Sequence, residues 1–294
     1  MAWSGMELDA GLKAEVLAAV DLPERFLADV EALWARLAER VLARSRAAGG
    51  TLVVGLNGPQ GSGKSTAAAA LAALLRANGA SVAVLSIDDL YLGRAARRDL
   101  AARVHPLFAT RGPPGTHDVA LALRVLDALA RPSPVALPRF DKATDDPVPE
   151  ADWPVAQGPV DVVLFEGWCV GARPQPAARL ARPVNALERD EDADGVWRTY
   201  ANDALAGDYQ TLFGRTDLLI QLGAPSFEAV LGWRREQEHR LIARTGRGMS
   251  DAELARFVQH YERLTRWIDE EMPARADVVV RLDGRRQMVE VTGL

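Results

Sequence analysis

Apolar residues along this chain fall into two kinds of pattern. Short continuous runs occupy 51–56, 81–87, 160–165, 217–222 and 278–282, each rich in Val, Leu or Ile. Runs of that length are the mark of strands buried on both faces, as in a parallel sheet. Between them lie stretches that read as helices, 65–76, 119–130, 203–213, 226–243 and 250–268. Their ends are signalled locally. Asn78-Gly79 stops the first, Asp118 and Ser226 stand at N-cap positions, and Ser250 with Glu253 reads as a capping box. Leu254, Phe257, Val258, Tyr261, Leu264 and Ile268 give the last helix a core face.

Strands alternating with helices predict an α/β fold of three layers, a mostly parallel sheet with helices on both faces. That domain is expected over 51–294. Residues 1–50 read instead as a helical N-terminal extension. One helix is expected over 7–20. Asp21 caps a second, with Pro23 in its first turn and Glu24 at its third position. Phe26, Leu27, Val30, Leu33, Trp34, Leu37, Val41 and Leu42 then form one stripe, the face by which this extension packs on the main domain.

Chemistry enters at the strand ends. The first buried run leads into GPQGSGKST, in which Gly58, Gly63, Lys64 and Ser65 fit GxxxxGK[ST]. A strand before it and a helix after it give the motif its required setting. Gly58, Gly61 and Gly63 let backbone N–H groups turn toward one anion, and the new helix points its positive end at the same place. With Ser62 and Thr66 they form a phosphate loop; Lys64 reaches the β- and γ-phosphates, and the Ser65 hydroxyl serves Mg²⁺. The second run ends in Asp88-Asp89-Leu90-Tyr91. Ligands of open α/β sheets sit outside the C-terminal strand ends, so an aspartate here lies beside the γ-phosphate, where a kinase needs a carboxylate to accept a hydroxyl proton. The run at 160–165 ends in Glu166-Gly167, an acid placed for Mg²⁺.

Composition narrows the reading without redirecting it. The chain has 294 residues, 48% hydrophobic and 26% charged, with a net charge of −5. That balance is ordinary for a globular protein and gives no electrostatic case for nucleic-acid or anionic-membrane binding. One cysteine, Cys169, excludes an intrachain disulfide and suits a reducing compartment. The first residues lack the pattern of a secretory signal. A cytoplasmic location is the expectation. There is no NKxD guanine signature for a GTPase switch, and no Cys/His cluster for metal delivery.

The remaining stretches read more plainly. Residues 92–117 are expected to be irregular and basic, ending in RGPPGTHD. Seven of the 17 prolines lie in 131–159, where only 135–137 reads as a strand, followed at once by Arg139-Phe140-Asp141-Lys142. Asp145, Asp146, Glu150 and the acidic run 188–194 read as solvated. The helix from Ser226 carries Arg234, Arg235, Glu238 and Arg240 on a side expected to be exposed, either a solvated face or a lid.

GPQGSGKST, SIDDLYL, RGPPGTHD, LPRFDKATDD, VLFEGWCVG, RPVN and WRREQEHRL occur in that order. In this series the chain resembles the P-loop kinases grouped with uridine kinase, phosphoribulokinase and bacterial pantothenate kinase. Among them it looks most like plant-type D-glycerate 3-kinases and their bacterial and fungal relatives. The resemblance implies ATP and Mg²⁺ as cofactors and a hydroxylated, glycerate-like acceptor. It implies catalytic roles for Lys64, Asp88 as general base and Glu166, with metal contacts from Ser65, Asp88 and Glu166. Arg234 and Arg240 then belong to a lid over the nucleotide, and Arg139, Asp141 and Lys142 to the acceptor side. Asp89, Tyr91, Arg111 and His117 are further acceptor-side candidates, and Arg111, Arg139 and Lys142 are the cations that could receive a substrate carboxylate.

Overall fold

The computed structural model describes residues 33–294. The helix expected at 7–20, and the start of the next one with its Asp21 cap, lie outside the described residues. From there the chain runs α1 (Ala35–Ala48), β1 (Leu52–Asn57), α2 (Lys64–Ala77), β2 (Val82–Ser86), α3 (Arg94–Arg103) and α4 (Val119–Leu129). Four short strands follow, β3 (Pro134–Ala136), β4 (Phe140–Asp141), β5 (Asp146–Pro147) and β6 (Val155–Gln157), then β7 (Val162–Gly167). After β7 come α5 (Ala177–Leu180), α6 (Ala186–Glu191), α7 (Val196–Ala206), α8 (Asp208–Phe213) and β8 (Leu218–Gly223). The chain closes with α9 (Phe227–Thr245), α10 (Asp251–Glu271), β9 (Val278–Leu282) and β10 (Met288–Thr292).

Six strands form one sheet in the order β10-β9-β8-β1-β7-β2. Every pairing is parallel except that of β10 with β9. Alternation along the strands divides the core. Leu52, Val54, Leu56, Val162, Leu164, Leu218 and Ile220 face α1, α2 and α9, whereas Val53, Val163, Phe165 and Leu219 face α4 and α8. α2 is mostly alanine and leucine because it is covered twice, by the sheet inside and by α1 outside. Leu37, Ala38 and Val41 of α1 are fully buried in the same core as β1. α10 spans both faces at the sheet edge, with Leu254 and Val258 in one core and Tyr261 and Ile268 in the other. The caps form as expected. Asp118 and Ser226 accept from backbone N–H groups, and the Ser250–Glu253 capping box is complete.

Several local expectations are corrected. Residues 94–103 are helical, since Ala, Arg and Leu are strong helix formers. The stripe was not recognisable because one of its two buried residues is Arg97, whose guanidinium is spent on carbonyls and a carboxylate. Val278–Leu282 is not the last strand. The half-polar β10 adds antiparallel at the edge, where one face meets solvent. The acids at 188–194 are not all solvated. Glu188 and Asp192 are buried and paired with Arg263 and Arg198 at 2.6 and 2.9 Å. Glu238 is buried as well, against Arg234. Among the described residues no helix is long and apolar enough to cross a membrane.

One half-buried acid gives this fold a pH signature. Burial raises the pKa of Asp269 in α10 to about 7, against weaker lowering by the Ala224 backbone and Arg281. The native state therefore holds a proton that the unfolded chain has released above its ordinary value of 3.8. Stability from this group is complete below that value and falls as pH rises toward 7, by at most about 1.4 kcal/mol per pH unit. Urea unfolding between pH 5 and 8 should show Asp269→Asn gaining on the wild type as pH rises. Parallel pH profiles for the two proteins would refute the assignment.

Candidate active site

β1, β7 and β2 end level. Leu56 and Ser86 are both in register with Glu166, so the three strands release their following residues along one edge of the sheet. The phosphate loop leaves β1 there. Gly58 opens it and Gly63, with φ +89°, hands over to α2 without a side-chain cap, leaving the first N–H groups of the helix open to a ligand. Gly61, at φ +78°, lies so close to α9 that a Cβ there would stand 2.6 Å from the Cβ of Trp233. Ser62 is buried with an unpartnered hydroxyl, and Thr66 sits in the first turn of α2. Lys64 carries no ion pair among the described residues.

Ser65 and Glu166 are brought together across 101 residues of chain. The Ser65 hydroxyl donates to Glu166 Oε1 at 2.9 Å, and Glu166 Oε2 is buried with no partner among the described residues. An oxygen pair of this kind, one hydroxyl and one carboxylate with a spare lone pair, suits a hard divalent cation that keeps water and phosphate oxygens as its other ligands.

Asp88 and Asp89 lie in a short 3₁₀ turn directly after β2, and the turn sends them apart. Asp88 accepts from Tyr91 Oη at 2.6 Å and Lys142 Nζ at 2.7 Å. Partial burial alone would raise its pKa, but Lys142 and Lys64 outweigh that, with help from the two hydrogen bonds, and hold it well below the usual carboxylate range. Asp89 meets the same β4–β5 hairpin at its base, accepting from Phe140 N at 3.1 Å and Arg139 Nη1 at 3.2 Å. Its pKa is raised, chiefly by burial. Both aspartates thus hold the hairpin, Asp89 through Phe140 N and Arg139 and Asp88 through Lys142, and Asp88 also feels the charge of Lys64 in the phosphate loop.

That hairpin contains the sharpest departure from expectation. Asp145 is not a solvated loop acid. It takes up a left-handed backbone at φ +61°, accepts from buried Arg97 at 2.7 Å, and pairs with Arg111. Burial raises its pKa, and the Arg97 and Arg111 hydrogen bonds more than reverse this. Arg111 is therefore already committed to a carboxylate, with its guanidinium 5.8 Å from the centre of the Phe140 ring. Asp141 turns back on its own hairpin, accepting from Ala143 N and the Thr144 hydroxyl, and so shapes the turn. His117 is buried, stacked on Tyr91 at 4.8 Å between ring centres. Arg234 is held by Glu238 at 2.7 Å one turn along α9, and Arg240 lies on the exposed C-terminal half of that helix without an ion pair among the described residues. Cys169 is fully buried, and burial pushes its thiol far up, as a packing residue requires.

Some site residues carry no signal in the sequence. Arg286, in the turn between β9 and β10, donates to Gly61 O at 2.7 Å and Glu236 at 2.7 Å, buttressing the phosphate loop from 225 residues away. Tyr261 of α10 crosses the RGPPG segment and donates to Arg111 O at 2.8 Å. Gly112 (φ +121°) is needed there, because a Cβ would collide with the Tyr261 ring. Tyr209 of α8 reaches His117. Only the Gly-Pro-Pro-Gly run hinted at any of this, as a segment something must pass closely.

A phosphate loop on the central strand, with an acid after each of two neighbouring strands, defines a P-loop nucleotide-binding protein of the kinase type. Comparison with known proteins agrees. The chain is 39% identical to the uncharacterized kinase mug58 of Schizosaccharomyces pombe over 223 residues, 72% of this chain and 79% of that one. It is 31% identical to the chloroplastic D-glycerate 3-kinase of Arabidopsis thaliana over 222 residues, 71% of this chain but only 46% of the plant protein. Among solved structures, D-glycerate 3-kinase from Cryptococcus neoformans superposes with a TM-score of 0.72 at 28% identity, covering 88% of this chain and 98% of that one. A family model described as methylmalonyl Co-A mutase-associated GTPase MeaB matches residues 19–91, a stretch that takes in the phosphate loop and β2 but not Glu166. The chain belongs to the family of P-loop kinases that includes D-glycerate 3-kinase and its fungal relatives.

Proposed function

We propose that this protein transfers the γ-phosphoryl group of ATP to a primary hydroxyl of D-glycerate, giving 3-phosphoglycerate, and that it works in the cytoplasm. The observation that supports phosphoryl transfer is that Asp88, its pKa lowered by Lys142 and Lys64, follows β2 at the same sheet edge where Ser65 donates to Glu166 of the adjacent β7. The relatives named D-glycerate 3-kinase support the acceptor.

Backbone N–H groups of the loop and the Lys64 ammonium would hold the phosphates. Ser65 and Glu166 would hold Mg²⁺, which neutralises charge across the β- and γ-phosphates. Asp88, kept ionised by Lys142 and Lys64, accepts the hydrogen bond of the attacking hydroxyl and aims its oxygen. As the new O–P bond forms and the bond to ADP breaks, the hydroxyl proton passes to Asp88. Because such transition states are loose, proton transfer comes late and a weak base suffices. Lys142 is half-exposed on a short hairpin, and a substrate carboxylate can draw it from Asp88, which at that moment makes Asp88 more basic. Arg139 is the second cation on the same hairpin. Most of the rate enhancement rests on this positioning and charge balance.

An ADP-release assay over glycerate, pantothenate, uridine and ribulose 5-phosphate, with GTP as an alternative donor, tests the reading. Glycerate- and ATP-dependent turnover is expected. Glycerate at the no-acceptor background with clear turnover of another acceptor would overturn the substrate.

A further inference from the structure

His117 has one ring nitrogen fixed and the other idle. Its Nδ1 lies 2.6 Å from the Tyr209 hydroxyl, and that hydroxyl oxygen already accepts from Gly115 N at 3.0 Å. A phenol has a single proton. That proton has no acceptor other than Nδ1 among the described residues; given to Nδ1, it leaves the proton of the neutral imidazole on Nε2. Burial supports both protonation states, pulling His117 down to about 4 and Tyr209 well up. Nε2 is buried and has no partner among the described residues. Leaving such a donor unmade is costly, so it calls for a partner. The place fits. The His117 ring stacks on Tyr91, and the Tyr91 hydroxyl rests on Asp88 Oδ1.

Resting on the kinase reading above, we propose that His117 donates its Nε2–H to an oxygen of the acceptor, and that Tyr209 is the positioning residue that fixes the required tautomer. The two groups divide one hydroxy acid between them. Asp88 only accepts, so it takes the reacting hydroxyl; His117 only donates at Nε2, so it takes a carboxylate or neighbouring hydroxyl oxygen. Acceptors are thereby selected for a second oxygen near the phosphorylated one. Tyr209 never touches the substrate.

His117→Phe keeps the ring and its stacking and removes the donor; Tyr209→Phe removes only the hydroxyl. Both should raise the KM of the acceptor about tenfold, the equivalent of one hydrogen bond. The KM of ATP should stay within about twofold of wild type. His117→Gln, whose amide nitrogen reaches the ε position, should recover part of the loss. Nitrogen-15 NMR of labelled histidine, on the full chain without substrate, should show Nε2 protonated and Nδ1 bare in the wild type, and loss of that bias in Tyr209→Phe. A wild-type ring protonated at Nδ1, or a wild-type acceptor KM in His117→Phe, would overturn the proposal while leaving the kinase reading intact. Silence on every acceptor in the panel would sink the kinase reading and the donor role of His117 with it. The tautomer spectrum would still report on Tyr209.

Discussion

Asp88→Asn should lower kcat by about 10²- to 10⁴-fold, the range for loss of a positioned proton acceptor. The KM of ATP should hardly move, because the phosphates are held by a loop whose backbone does not depend on residue 88. The fold should also survive. Lys142 is largely exposed, so losing its partner costs no more than about 1 kcal/mol, and Asn Oδ1 still accepts from Tyr91. Asp89→Asn is the informative companion. Asp89 receives Phe140 N and Arg139, so its loss loosens the hairpin and should act mainly on the KM of the acceptor. Steady-state kinetics on both variants, with nucleotide binding by fluorescence, separates the roles. Wild-type kcat in Asp88→Asn would remove Asp88 from the chemistry. A larger kcat loss in Asp89→Asn would exchange the two assignments.

Glu188→Ala should be the most destabilising single change named here, by about 3–5 kcal/mol, because it strands a buried cation. The Glu188 side chain is wholly buried and accepts from Arg263 Nε at 2.7 Å, Arg263 Nη2 at 2.6 Å and Val184 N at 2.9 Å. Arg263 also donates to Arg179 O and Arg182 O, so this pair ties α10 to the segment before α6. Glu188 is the guanidinium's only carboxylate among the described residues, so removing it leaves the charge in low dielectric with carbonyl partners. Denaturant unfolding followed by tryptophan fluorescence would measure the loss, and Glu188→Gln, which keeps the shape, should lose less. A change under about 1 kcal/mol would mean that water reaches the pair, as for surface ion pairs.

Sequence and structure agree where the signal is local. Caps, the phosphate loop and the buried strands are each written in a few adjacent residues. The sequence also placed Asp88 and Glu166 at strand ends, and a parallel sheet carries strand ends to one edge. Partnership was not legible. Asp145 and Glu188 look like any other acid in a polar stretch, and nothing nearby in the chain announces Arg97 or Arg263. Arg97 hid a helix in the same way, since a guanidinium replaced the apolar residue that a stripe requires. Arg111 was an acceptor-side candidate by residue type and Asp141 by the family resemblance; that Arg111 meets Asp145 and Asp141 meets its own turn was legible in neither.

What the sequence by itself determined was the class of chemistry. The loop, its helix and the two strand-ending acids fix phosphate binding and a carboxylate beside it, because their geometry follows from backbone rules over short spans. Tertiary structure decided that Asp88 pairs with Lys142 and Asp89 with Arg139, that Arg111 is taken up by Asp145, and that His117 is joined through Nδ1 to a tyrosine 92 residues away. Those are matters of pairing across the fold, and a charge or a tautomer takes its meaning only from the group that packs against it.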